Sequence, residues 1–228
     1  MIKILFPLLV LLMFISVMPS YAQESEMQIE SAQNNDGCMG VRIGVNSNKY
    51  SGVSGCKFLG SDVSFDFIRQ TGGHVSVFYT MEGSNFRLQP GLTFIQRKSE
   101  VLISSEEKSA NLIYSLNYLQ LPVEFSFIVI DFKGNGGLRF NMEPHLGLFV
   151  GGTLNNSFKI TDNKILKDGG ISSFDFGVSL GASLDFGAIE PYIAFDYGFT
   201  NVGLYDVVTS NNPYIANSSI NMGLAFHF

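Results

Sequence analysis

Glu143 and His145, two residues apart, and His227, next to the C-terminal Phe228, are the residue types that could pass protons as acid/base pairs. General acid–base work needs an imidazole or carboxylate within hydrogen-bond reach of a reacting group. The local pattern decides where these side chains point. His145 lies in Phe140-Asn-Met-Glu-Pro-His-Leu-Gly-Leu148 and His227 in Ile220-Asn-Met-Gly-Leu-Ala-Phe-His-Phe228. Both stretches alternate large apolar residues with small or polar ones, the period of a β-strand with two unlike faces. By parity His74, His145 and His227 share the polar face. A lipid-modifying enzyme working on the bilayer would be expected to turn a Ser-His-acid set toward the apolar face, and no histidine here has that parity. The expectation is therefore a non-enzymatic chain, with no catalytic, cofactor-binding or metal-binding residues assigned and no cofactor. Cys38 and Cys56, the two cysteines, form no CxxC or Cys/His metal spacing.

Eight alternating segments position these residues. They are Met39–Val45, His74–Met81, Phe86–Gln96, Tyr118–Phe127, Arg139–Val150, Ser173–Phe186, Tyr192–Phe199 and Ser219–Phe228. In the cleanest, Phe174, Phe176, Val178, Leu180, Leu184 and Phe186 oppose Asp175, Gly177, Ser179, Gly181, Ser183 and Asp185. Pro90, Pro122, Pro144 and Pro191 fall inside segments, where the missing ladder donor argues for bulges or rim positions. Connections alternate in length. Long ones cover 46–73, 97–111, 153–171 and 201–218, and short ones centre on Gly83-Ser84, Lys133-Gly-Asn-Gly136 and Gly187-Ala188. Short turns at one end and long loops at the other fit an outer-membrane barrel with periplasmic turns and extracellular loops.

Alternation alone leaves open which face meets water, since a soluble barrel puts its apolar face inward. Lysines decide. Lys49, Lys57, Lys98, Lys108, Lys133, Lys159, Lys164 and Lys167 all fall in the expected loops, turns or strand ends. The polar face instead carries Gly, Ser and Asn, with Arg42, Arg87 and Arg139 set against Glu124, Glu143, Asp175, Asp185 and Asp196. Small residues and paired ions suit an eight-stranded barrel filled by its own side chains, and ions there must pair. The apolar face therefore points to lipid. Inward Phe78, Phe149 and Tyr192 crowd the lumen against a diffusive pore. Phe94, Phe174, Tyr197 and Phe199 form one aromatic girdle; Tyr79, Phe86, Phe125, Phe127, Phe140, Phe186, Phe226 and Phe228 form the periplasmic one.

Met1-Ile-Lys3, the apolar run 4–18 and Ser20-Tyr-Ala22 read as a secretory signal peptide over 1–22. Its removal leaves 206 residues (228 − 22) and moves the formal charge from −6 to −7, because only Lys3 is lost. That acidic balance gives no reason to expect nucleic acid as a partner. Residues 23–37 read as a flexible lead-in and 38–228 as one outer-membrane β-barrel domain. No later stretch reaches the roughly 18 to 20 apolar residues of a membrane helix. Cys38 precedes an upward strand and Cys56 follows it. Nine residues of strand rise about 30 Å, whereas bridged Cα atoms lie about 4.4 to 6.8 Å apart, so a bridge would require a different first strand.

Four stretches carry a family resemblance: Phe86-Arg-Leu-Gln-Pro-Gly-Leu-Thr-Phe94, Asn117-Tyr-Leu-Gln-Leu-Pro-Val-Glu-Phe125, Asp175-Phe-Gly-Val-Ser-Leu-Gly-Ala-Ser-Leu-Asp185 and Asp196-Tyr-Gly-Phe-Thr-Asn-Val202. Across residues 40–228 the chain resembles the PorT-like outer-membrane β-barrel family of Bacteroidetes. The resemblance implies an eight-stranded barrel in the outer membrane, with Phe228 read by the barrel-assembly machinery. Most members of that family have no assigned activity. The sequence reading is thus an all-β, up-and-down, eight-stranded transmembrane barrel with a structural or loop-mediated interaction role. Its partner is an extracellular or secretion-system protein met by the long loops. A lipid-modifying enzyme and a narrow, secretion-associated channel are the alternatives.

Overall fold

The computed structural model describes residues 37–52, 55–58, 61–83, 85–104, 109–132, 136–155, 159–160, 173–200 and 215–228. All regular structure among them is strand. In chain order the strands are β1 (Cys38–Ser51), β2 (Gly55–Phe58), β3 (Ser61–Glu82), β4 (Phe86–Ser104), β5 (Ser109–Asp131), β6 (Gly137–Asn155), β7 (Lys159–Ile160), β8 (Phe174–Asp185), β9 (Ile189–Gly198) and β10 (Ala216–His227). Eight of them pair antiparallel in the order β1-β10-β9-β8-β6-β5-β4-β3, and β3 pairs β1 to close the ring. Closure leaves no unpaired edge, which is what lets strands cross a bilayer. Short β2 folds back on β3, and β7 on β6. The seam runs from Gly40 opposite His227 to Ser51 opposite Ala216. At its middle Gly44 faces Gly223, where an added Cβ on Gly223 would stand 2.2 Å from the Ile43 carbonyl oxygen and 2.9 Å from the Tyr192 hydroxyl. Only glycine leaves room there for Tyr192 to enter the lumen.

The two faces sort as the alternation requires. Ile43, Val75, Val77, Leu121, Leu146, Phe174, Ile193 and Met222 are exposed on the barrel wall, while Arg42, Ser76, Gln120, Glu124, His145, Asp175 and Asp196 are buried inside it. Direct cross-strand partners build the belts. Phe86, Phe127 and Phe140 lie abreast on β4, β5 and β6 near the short turns. Val75, Phe94, Leu119, Leu148 and Phe174 lie abreast from β3 to β8 at the other end. From Phe86 to Phe94 is nine residues, within the roughly 9 to 11 that a tilted strand needs to cross the hydrocarbon.

The first two long loops need correction. The strands run on beyond the outer belt: β3 has 22 residues, β5 23, and β4 and β6 19 each. Ser61 onward belongs to β3, and only 105–108 separate β4 from β5. Alternation continues there with its polarity reversed. The wall beyond Phe94 presents Gln96, Lys98 and Glu100, with Gln70 and Asn111 both donating hydrogen bonds to Glu100. The inside becomes apolar, with Tyr50, Ile95, Val101, Leu112, Tyr114, Leu116, Tyr118 and Ile215 buried against one another and Phe65, Phe67, Ile103 and Phe149 packed around them. Outside the bilayer water surrounds the wall, so apolar side chains turn inward as in a soluble barrel. Following the apolar face as the lipid face therefore loses these strands. Lys49, Lys57, Lys98 and Lys159 accordingly stand in strands, but beyond the belt.

The prolines are not bulges. Pro90 stands opposite Val123, Pro122 opposite His145, Pro144 opposite Val178 and Pro191 opposite Leu224, all in continuous register. Register shifts occur instead between Arg69 and His74, between Asn117 and Tyr118, and between Ile128 and Ile130. The first reverses which parity faces inward, bringing Phe65 and Phe67 under the apolar cap and His74 into the polar lumen. Cys38, opposite Thr80 at the turn end, is a free thiol, and Cys56 sits beyond the far end of β1 opposite Val63.

Candidate functional site

Three tiers of arginine and carboxylate fill the polar lumen, and each arginine comes from a strand whose inward parity the alternation dictates. Nearest the short turns, Arg87 of β4 reaches Glu190 at 2.6 Å, Glu82 at 2.7 Å and Asp185 at 2.8 Å. Arg139 of β6 shares Asp185 at 3.0 Å and Glu82 at 3.1 Å. His227 Nε2 lies 2.9 Å from Glu190 Oε2, and the Ser183 hydroxyl donates to the same carboxylate. Above them Arg42 of β1 pairs with Glu124 at 3.0 Å and Glu143 at 3.1 Å. Its guanidinium lies between the rings of Tyr192, 4.8 Å away, and Phe78, 5.3 Å away. This stacking suits a planar, weakly hydrated cation.

The third tier sits under the apolar cap. Arg97 bonds Asp175 through Nη1 and Asp196 through Nη2, the latter at 2.6 Å, and its guanidinium faces Tyr118. Thr200 Oγ donates to Asp175 at 2.7 Å and the Asn217 amide at 3.2 Å. Arg97, Asp175 and Asp196 are each about 1% exposed. Such ions are tolerable only when paired and hydrogen-bonded, since bare burial of a charge is strongly unfavourable.

All three histidines point inward, as their parity requires. His145 lies 3.6 Å from Asp196 rather than against Glu143, and His74 Nε2 meets the Tyr192 hydroxyl. No serine–histidine–carboxylate set faces lipid among the described residues. The inward ions named from the sequence are all present in these tiers. Arg97, Glu82 and Glu190 were missed. Arg97 shares the odd parity of Arg87, Gln89, Thr93 and Ile95, so extending the register of β4 by two residues would have found it. Glu190 was hidden beside a turn glycine and a proline.

What this arrangement can do follows from its packing. The described inward-facing charges comprise Arg42, Arg87, Arg97 and Arg139 with Glu82, Glu124, Glu143, Asp175, Asp185, Glu190 and Asp196. Bridges from strands on opposite sides of the ring cross the lumen, as from β1 to β5 and β6 or from β4 to β8 and β9. They tie the wall together and leave a cavity of only about 40 Å³ at mid-height. The interior is a packed ionic core beneath an apolar cap.

A family model described as "Outer membrane protein beta-barrel domain" matches residues 22–203. Among solved structures the chain is similar to Neisserial surface protein A, NspA, with 12% identity over 83% of this chain and 97% of that one and a TM-score of 0.46. It is also similar to Ail, the attachment invasion locus protein of Yersinia pestis, solved in complex with the heparin analogue sucrose octasulfate. There the identity is 11% over 84% of this chain and 99% of that one, with a TM-score of 0.43. A comparison with curated proteins gives no match.

Proposed function

Because the chain belongs to the outer-membrane protein β-barrel domain family, we propose that this outer-membrane barrel is a non-enzymatic scaffold that holds a partner at its extracellular end. The observation that carries the reading is the interior: ion-paired across the lumen and closed above by buried Tyr50, Leu112, Leu116 and Tyr118. A channel needs a continuous aqueous path, and a membrane enzyme needs reactive groups turned to lipid. The interior supports neither. What remains for function is the part of β3 to β6 that rises past the outer belt as a rigid, well-paired surface, with the connecting loops at its tip. Binding surfaces are characteristically loops held by such scaffolds.

In this reading residues 1–22 are the signal peptide, 23–37 the lead-in and 38–228 the barrel domain. Phe228, which is 77% exposed beside the turn-side belt, is the residue read by the barrel-assembly machinery. Kinship with the PorT-like barrels rests on the four stretches quoted above, and a secretion-system protein is one class of partner it brings into view.

A photo-cross-linking residue at Ser104, exposed at the extracellular tip of β4, is expected to capture a discrete protein partner in intact outer membranes. The same probe at Asn85, exposed in a periplasmic turn, is expected not to capture that species. Equal capture from both positions, or none from Ser104, would reject the proposal. Lipid A from a strain lacking the protein is expected to be unchanged; a missing acyl or headgroup modification would favour the enzyme instead.

A further inference from the structure

We propose that the cavity at mid-lumen is a specific water site, holding ordered water between the Arg42 and Arg97 tiers. The proposal rests on the plugged-barrel reading and adds a wet compartment within it. The cavity is lined by Arg42, His74, Gln120, Glu124, Tyr192 and Asp196, among others, and measures about 40 Å³. Four polar atoms of its lining, Arg42 Nε, His74 Nδ1, Gln120 Nε2 and Glu124 Oε1, are buried and have no hydrogen-bond partner among the described residues. The four residues are nine-tenths or more buried, and such groups almost always find a partner.

The chemistry of the four atoms selects the ligand. Arg42 Nε and Gln120 Nε2 donate, Glu124 Oε1 accepts, and His74 Nδ1 does either according to its tautomer. A bare cation at this place would meet two N–H donors, and a bare anion would meet Glu124, Glu143 and Asp196. Water donates and accepts, so it satisfies the whole set. One water needs about 10 to 15 Å³, so a space of about 40 Å³ is large enough to hold water.

Above this compartment Tyr50, Ile95, Leu116 and Tyr118 pack together. Arg97 Nε, the Tyr50 hydroxyl and the side-chain oxygens of Asn46, Asn48 and Asn217 also have no hydrogen-bond partner among the described residues, but these residues do not line the cavity. Tyr192 and Tyr118 therefore form an internal comparison, one on the wet chamber and the other 2% exposed in the cap.

Microsecond hydroxyl-radical footprinting of the full-length protein in lipid nanodiscs, read by mass spectrometry, tests this directly. Radicals formed from bound water oxidise the side chains beside it. Tyr192 and His74 are expected to be oxidised severalfold faster than Tyr118. Ala194→Leu, which fills the cavity from its wall, is expected to bring Tyr192 down to the Tyr118 rate. Oxidation of wild-type Tyr192 no faster than Tyr118 would overturn the water site without touching the plugged-barrel reading. So would a folded Ala194→Leu protein whose Tyr192 rate is unchanged. The wild-type comparison decides the matter alone if the variant does not fold.

Discussion

Replacing Arg97 by methionine is expected to cost about 3 to 5 kcal/mol of folding stability, the usual cost of removing one partner from a buried ion cluster. The substitution keeps a long side chain in place but leaves Asp175 and Asp196 facing each other, both almost fully buried. Thr200 and Asn217 still donate to Asp175, and Ser179 and Ser219 lie 3.4 Å from Asp196. Hydroxyls and amides do not neutralise two carboxylates. Urea titration of the barrel in lipid vesicles, followed by the heat-modified shift in gel mobility, reads the change. Combining Arg97→Met with Asp175→Asn and Asp196→Asn is expected to recover much of the loss, because the uncompensated charges go with their partner. A single variant as stable as wild type would mean that Arg97 does not hold the top of the lumen.

Leu121→Arg is expected to cost about 1 to 3 kcal/mol, between the about 2 to 4 kcal/mol of arginine on the lipid face at mid-bilayer and the about 0 to 1 kcal/mol near the interfaces. Leu121 is 59% exposed on the wall of β5, two residues from the outer belt at Leu119. Its neighbour Gln120 faces the lumen and is 5% exposed. A second arginine at Gln120 would enter beside Glu124 and the water cavity, a different and more local disturbance. The facing assigned here requires that Leu121→Arg impairs insertion into bilayers. Normal folding of Leu121→Arg together with failure of Gln120→Arg would invert it.

Much of the barrel is legible in the sequence because a strand in a bilayer has one lipid face and one lumen face. Parity alone then separates Phe174, Phe176 and Leu180 from Asp175, Gly177 and Ser179. The seam is legible too, since the last strand needs a partner and the first is free. What the sequence hides is where the bilayer ends. Beyond Phe94 the solvent changes from lipid to water and the meaning of the pattern reverses, so Arg97, Ser99 and Val101 read as loop although they continue the ladder. The register shift between Arg69 and His74 hides β3 further by reversing its parity. Pairing inside the lumen is the least legible, because parity shows that His145 points inward but only the ring geometry puts it beside Asp196 rather than Glu143. The continuous register through Pro90, Pro122, Pro144 and Pro191 is likewise a property of the closed wall, which holds neighbouring pairs in place on both sides of each missing donor.

The central claim is that the lumen is closed: ion-paired across its width below, and apolar at its outer end. Single-molecule current recording of the purified full-length barrel in planar lipid bilayers at neutral pH tests it most directly. The expected result is a baseline without discrete steps under applied voltage, in membranes where a porin added as control opens normally. Reproducible ohmic steps from the wild-type protein would show a continuous aqueous path past Arg97 and Tyr118, and would contradict the claim.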